Sequence, residues 1–301
     1  MKRVLQGLVC VILISGKING QFLNGVSDAV YFTEKAQFEE RCLKAISDTM
    51  HVVVGYGPEY DAAIKVAFEK YWTISKFKLI SLSQFDKLTE DQKDKRSFIV
   101  LREMSYNLGK DTYFDLIQII NCEKAGSYNK KLVEYSAVGL RYDNLHRKGE
   151  KSLGTVSNDH DRANTTIQYV MEMQQQLKLI TELGEKKYKK LSNKEKLKGK
   201  TIILSREYLK VGITEASFKK LGSKCEVMDA DVIRKKLQDK KGLEACCQMY
   251  IIRSLDTIDM FIIDLETGDL IASSYYNSSG NGKRNKSVDD EDMYILAKQL
   301  E

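Results

Sequence analysis

The sequence predicts an α/β fold of two duplicated modules, each a mixed sheet with a closing antiparallel hairpin and flanking helices, joined by a long helix. Three observations carry that expectation. Ala67-Phe68-Glu69-Lys70 followed by Phe77-Lys78-Leu79-Ile80 returns as Ser217-Phe218-Lys219-Lys220 followed by Cys225-Glu226-Val227-Met228. β-rich stretches bracket each copy, 51–54 and 98–101 in the first half, 201–204 and 249–252 in the second. Partners stay about 150 residues apart, the signature of a repeated unit. The pairing sets Val53 against Ile203, Phe68 against Phe218, Leu79 against Val227, Ile99 against Met249 and Phe114 against Phe261.

The chain opens with Met1-Lys2-Arg3, an apolar run from Val4 to Ser15, and Gly16 and Gly20 before Gln21. A charged start, a short apolar core and small residues form an export signal, with cleavage expected after Gly20. The run is shorter than the roughly 20 apolar residues of a membrane span, so no transmembrane span is expected in the mature chain. Val9 stands where acylation of Cys10 would require a small residue. Removing 1–20 takes away Lys2, Arg3 and Lys17 and no acidic residue, so the formal charge falls from +6 to +3. A mildly basic chain without a basic stripe lacks the footprint of a nucleic-acid binder.

Phe38, Cys42, Ala45 and Ile46 share one helical face, which predicts a helix over 33–48. Module one begins with the strand at 51–54 and the turn Gly55-Tyr56-Gly57. Pro58, the only proline, suits the first turn of the next helix, where its missing N–H costs nothing. Ile64, Ala67, Phe68 and Tyr71 then form one apolar stripe. After the strand 77–80, Ser83 is the expected N-cap of a short helix carrying Phe85 and Leu88. A strand at 98–102 and a hairpin of 113–120 with 132–140 follow, turned by 123–130. Module two repeats the order, with Asp231 as N-cap and Glu266-Thr267-Gly268-Asp269 turning the closing hairpin between 260–265 and 270–276. The resulting division is 1–20 signal peptide, 21–50 N-terminal helical segment, 51–158 module one, 159–200 connecting helix and linker, and 201–301 module two. Lys186 to Lys200 has Glu185 and Glu195 mixed into it and reads as a solvated linker face.

Candidate chemistry is thin. Gly55-Tyr56-Gly57 has the start of a dinucleotide fingerprint, but Tyr60 occupies the position where close helix–strand packing wants glycine or alanine. Asp159-His160-Asp161 and Asp289-Asp290-Glu291-Asp292 suit helix starts by capping and dipole alone, without the spacing of a calcium loop. Five cysteines follow the leader: Cys42, Cys122, Cys225, Cys246 and Cys247. An odd count in an oxidising compartment leaves at least one thiol unpaired within a monomer. Adjacent Cys246 and Cys247 point to opposite faces of a strand. His51, His146 and His160 each suit a strand start, a basic loop and a helix start. No catalytic, cofactor-binding or metal-ligating residue is assigned, and no cofactor is expected.

Ile262-Ile263-Asp264-Leu265-Glu266-Thr267-Gly268-Asp269-Leu270-Ile271-Ala272-Ser273 is similar to the closing hairpin of envelope α/β domains of the curli-secretion lipoproteins and the N-terminal domain of the Tol-system propeller protein. Phe77-Lys78-Leu79-Ile80-Ser81-Leu82-Ser83-Gln84-Phe85 resembles their strand-to-capped-helix step. The resemblance covers about 70 residues per module and does not extend to the acylated cysteine of the secretion lipoproteins. It implies a periplasmic or secreted, non-enzymatic scaffold or partner-binding unit whose partner is an envelope protein. Two alternatives stand beside it: an exported hydrolase or thiol enzyme with a site between modules, and a two-lobed small-ligand-binding protein. A deep polar cleft would favour the receptor, an aligned Cys–His pair the enzyme, and exposed strand edges the scaffold.

Overall fold

The computed structural model describes residues 39–107, 111–124, 132–141, 146–147, 159–183, 193–206, 224–253 and 257–277. The export signal, the segment with Phe218 and the acidic helix start at Asp289 lie outside the described residues.

A helical stretch at 39–47 (α1) buries Cys42 and Ala45, in keeping with the apolar face read from the sequence. Strand β1 (Met50–Val54) lies parallel to β2 (Phe77–Ser81) on one side and to β3 (Ser97–Asn107) on the other. Helix α2 (Pro58–Lys70) connects β1 to β2, while α3 (Leu82–Lys87) and α4 (Glu90–Lys93) lead from β2 to β3. β4 (Asp111–Lys124) and β5 (Leu132–Arg141) continue antiparallel, and β6 (His146–Arg147) pairs with β4, giving the order β2-β1-β3-β4-β5.

Helix α5 (Asp159–Leu183) then leads to the second sheet. β7 (Thr201–Ser205) is parallel to β8 (Lys224–Met228) and β9 (Cys246–Arg253), with α6 (Ala230–Asp239) between the latter two. β10 (Thr257–Asp264) and β11 (Leu270–Asn277) close the sheet as an antiparallel hairpin. The order β11-β10-β9-β7-β8 is the order of the first sheet strand for strand. The fold is therefore α/β with two like-ordered mixed sheets joined by a long helix.

Several boundaries differ from expectation, each for a local reason. The helix after β2 is capped by Ser81, not Ser83. Ser81 Oγ accepts from Gln84 N at 3.1 Å and Gln84 Oε1 accepts from Ser81 N at 2.8 Å, a reciprocal box that places Ser83 inside the first turn. Thr89 and Gln92 repeat the device and start α4. In module two the N-cap is Asp229, and Asp231 lies in the first turn, where a carboxylate suits the helix dipole. β3 runs past Arg102 to Asn107 because alternation of polar and apolar residues suits an antiparallel ribbon as well as a continuous apolar run does. The end of the linker is docked onto module two: Leu197 is buried, Asn193 N donates to Ile271 O at 3.0 Å, and Lys196 pairs with Asp269 at 3.0 Å.

Helices α2, α5 and α6 lie between the sheets. Val52, Ile99, Leu101, Ile117 and Ile119 of the first sheet share one continuous core with Ile203, Phe261 and Ile263 of the second and with Ile167, Val170, Met173 and Leu177 of α5. The opposite face of the first sheet carries Val53, Phe98 and Val100 packed on Phe85 of α3. The two sheets thus turn unlike faces toward the shared layer: the first offers the side of α2, its first crossover, and the second offers the side of α6, its second. Val53 and Ile203 accordingly both lie on the side of the second crossover helix.

Candidate functional site

The densest polar organisation among the described residues is the seam where α5 meets both modules. Positions 166–177 of α5 are buried without exception, a span that includes Thr166, Gln168, Glu172, Gln174, Gln175 and Gln176. A helix buried all round is ordinarily apolar, so these polar groups must find partners within the protein. Gln174 Oε1 accepts from Thr73 N at 2.6 Å and its Nε2 donates to Tyr71 O at 3.0 Å, satisfying the C-terminal end of α2. Gln176 Nε2 donates to Glu172 Oε1 at 2.5 Å. Gln175 Nε2 reaches Asp269 Oδ1 of the closing turn of module two at 3.5 Å.

The other end of α2 is held by the same helix. Asp159 accepts from Glu59 N at 2.7 Å and from Tyr60 N at 2.9 Å, so the carboxylate at the start of α5 caps α2. A Cβ on Gly57 would stand 2.2 Å from Asp159 Oδ1, which explains the glycine by close approach. Asp61 Oδ1 accepts from Gly55 N and Tyr56 N at 2.8 and 3.3 Å, and Gly55 sits at φ +113°. The glycine turn that had the look of a phosphate cradle therefore has its backbone donors bound to Asp61 and Asp159. Asp159 acts as a helix cap as expected of an acidic helix start, but the helix it caps is another one.

Beside this cap, Glu59 Oε2 accepts from Arg234 Nη1 of α6 at 2.7 Å and lies 2.8 Å from His160 Nδ1. Arg234 Nη2 stands 3.5 Å from the same ring nitrogen. The hydrogen bonds from Arg234 and then from His160 hold the Glu59 carboxyl below the usual carboxylate range. One carboxylate thus joins module one, the connecting helix and module two. At the far end of α2, Tyr71 Oη donates to Leu237 O at 2.8 Å and Lys70 Nζ donates to Gln238 O. The sequence singled out Asp159 and His160 only as a helix start. Glu59 and Arg234 were missed, because contacts between residues so far apart in the chain leave no local signal.

The groups considered for catalysis lie elsewhere and apart. The five described cysteines form no disulfide with one another. Burial pushes Cys247 up to about 12 and Cys225 up to about 11, and it raises Cys246 as well, so these thiols stay protonated at neutral pH. Cys247 is buried on the outer face of its sheet, whereas Cys246 packs against the inner core, as adjacent strand residues must. Burial lowers the pKa of His51, whose ring lies 5.2 Å from Phe98. His146 falls in β6. Among the described residues no group of three or more His, Cys, Asp or Glu is placed to hold a metal ion, and no helix is long and apolar enough to cross a membrane. No family model, curated protein or solved structure matches the chain.

Proposed function

We propose that the chain is an exported, non-enzymatic protein of the cell envelope that serves as a scaffold or partner-binding unit. The observation that carries this reading is the filled space between the sheets. Helices α2, α5 and α6 occupy the layer where a two-lobed receptor would keep its cleft, and the seam is tied by Glu59, His160 and Arg234. A rigid two-module body suits a protein that presents surfaces at a fixed spacing. Among the described residues one end of each sheet is a short strand, β2 or β8, paired on one side only, with Lys78, Lys224 and Glu226 exposed on them. Exposed charges on an edge discourage self-association while leaving backbone groups for a cognate strand. The identical strand order of the two sheets supports descent from one ancestral module. Together with the closing hairpin at Asp264–Asp269 it also supports kinship with the envelope domains of the curli-secretion and Tol-system type.

The test is capture of partners by the mature chain from its native envelope, followed by reconstitution of the complex from purified components. A saturable binary complex is expected, undiminished by Cys247→Ser or His51→Gln. Turnover of an ester or thiol substrate that those substitutions abolish in a folded protein would replace this reading with the enzymatic one.

A further inference from the structure

Strand β2 has β1 on one side and, among the described residues, no strand on the other. Met50 N donates to Lys76 O at 2.9 Å and Met50 stands opposite Phe77, which fixes the pattern of the parallel ladder. In that pattern Lys76, Lys78 and Ile80 turn their backbone groups to β1, so those of Phe77 and Leu79 turn outward. The N–H of Ser81 points the same way, but it already donates to Gln84 Oε1 at 2.8 Å. The open edge therefore ends at the cap of α3, and Phe77 and Leu79 offer their donors and acceptors to an added strand.

The two faces of this edge differ. Phe77 and Leu79 are half-buried and pack on the shared core, with the Phe77 ring 5.3 Å from that of Phe68. Lys78 lies on the outer face with Ile80, which packs on the cluster of Val53 and Phe98. His51 stands opposite Lys78 in the register, and the charges of Arg96 and Lys78 both bear on its ring. Lys76, Lys78 and Arg96 are exposed, and among the described residues none of them is in an ion pair. Asp48, the acidic group that bears on the same ring, accepts from Thr49 N at 2.7 Å. A second copy of β2 would bring Lys78 against another Lys78, and like charges side by side oppose such self-pairing. The corresponding edge β8 carries Lys224 and Glu226, of opposite sign, and lacks this bias.

We propose that β2 receives an extended segment of the partner protein in which acidic and apolar residues alternate. Its apolar side chains continue the face of Phe77 and Leu79, and its carboxylates meet Lys76, Lys78 and Arg96. This assignment rests on the partner-binding reading and adds to it the site and the kind of partner. The probe is a synthetic peptide of alternating glutamate and valine, titrated into the full mature chain, with a lysine–valine peptide of equal length as control. Saturable binding of the acidic peptide is expected, with the amides of Phe77 and Leu79 newly protected from hydrogen exchange. Lys78→Glu, a change at an exposed position, should weaken the acidic peptide about tenfold and favour the basic one, because the charge complementarity is reversed. Backbone N-methylation of the acidic peptide leaves its charges in place and should abolish binding. Absent or equal binding of the two peptides, binding indifferent to N-methylation, or amides of Phe77 and Leu79 already protected in the free protein by a second copy or by the chain itself would overturn the assignment. A captured partner complex that forms unchanged with Lys78→Glu would also overturn it and leave the partner-binding reading standing, whereas peptide binding without any captured partner would support the edge and count against that reading.

Discussion

Glu59 Oε2 accepts a hydrogen bond from Arg234 Nη1 at 2.7 Å, and this contact ties the first turn of α2 in one module to α6 in the other. Arg234 is largely buried, with 11% of its side chain exposed, while Glu59 retains 45%. Removing the carboxylate therefore leaves a mostly buried guanidinium with less compensation. Glu59→Gln is expected to destabilise the protein by about 1–2 kcal/mol, the range of a charge-assisted bond discounted for exposure. In a double-mutant cycle with Arg234→Met, the two losses should be less than additive. Additive losses measured by denaturant unfolding would show that the pair is incidental.

The same contact sets an acid dependence. Glu59 is held below its ordinary value of 4.5, so its contribution is fully present above that pH and is lost as pH falls through the depressed value. Wild type and Glu59→Gln should differ in Tm at about pH 6 and converge once the pH has fallen below the depressed value of Glu59. A difference that persists unchanged into strong acid would assign the stabilisation to something other than the ionised carboxylate.

Asp159 and Gly57 form a second coupled pair. Asp159→Ala removes the side-chain acceptor for two N–H groups of α2 and should cost about 1 kcal/mol. Gly57→Ala drives its new Cβ into the same carboxylate and should cost more. With Asp159 already replaced by alanine, the glycine substitution should become milder. Equal penalties in both backgrounds would mean that the glycine answers to its backbone rather than to Asp159.

The thiols offer a chemical check. With Cys247 pushed up to about 12 and Cys225 up to about 11, alkylation at pH 8 should spare both in the folded protein and label both after denaturation. Rapid native labelling of Cys247 by peptide mapping would contradict the buried, protonated assignment and reopen a nucleophilic role.

How far the sequence carried the fold depends on the range of the interactions. Ile64, Ala67 and Phe68 announced α2 by their spacing, and Pro58 marked its first turn where the structure has it. Both closing hairpins were legible from alternation and from the Thr267-Gly268 turn. The caps at Ser81 and Asp229 were displaced by one pair of residues, since several small polar residues stood close together and only the Ser81–Gln84 box discriminates. The seam was not legible. Asp159 looked like the cap of its own helix, and nothing near Glu59 or Arg234 in the chain announces their meeting. The burial of the polar positions of α5 was likewise not legible, because burial on all sides is imposed by two sheets that the local sequence does not mention.

That enclosure leads to the last prediction. Ile167, Val170, Met173 and Leu177 of α5 contribute to one core with Val52 and Ile99 of the first sheet and Ile203 and Ile263 of the second. Neither sheet can lose α5 without exposing its inner face, so the described modules should unfold together despite their like topology. Calorimetry is expected to show one cooperative transition, with calorimetric and van't Hoff enthalpies in agreement. Met173→Ala should lower the stability of the whole by about 2–5 kcal/mol, since the side chain is fully buried. Hydrogen exchange supplies the sharper measurement. Amides of β1 and β7 should open with the same free energy in wild type and fall equally in Met173→Ala. If β1 retained its protection while β7 lost it, the modules would be separable units and α5 would belong to only one of them.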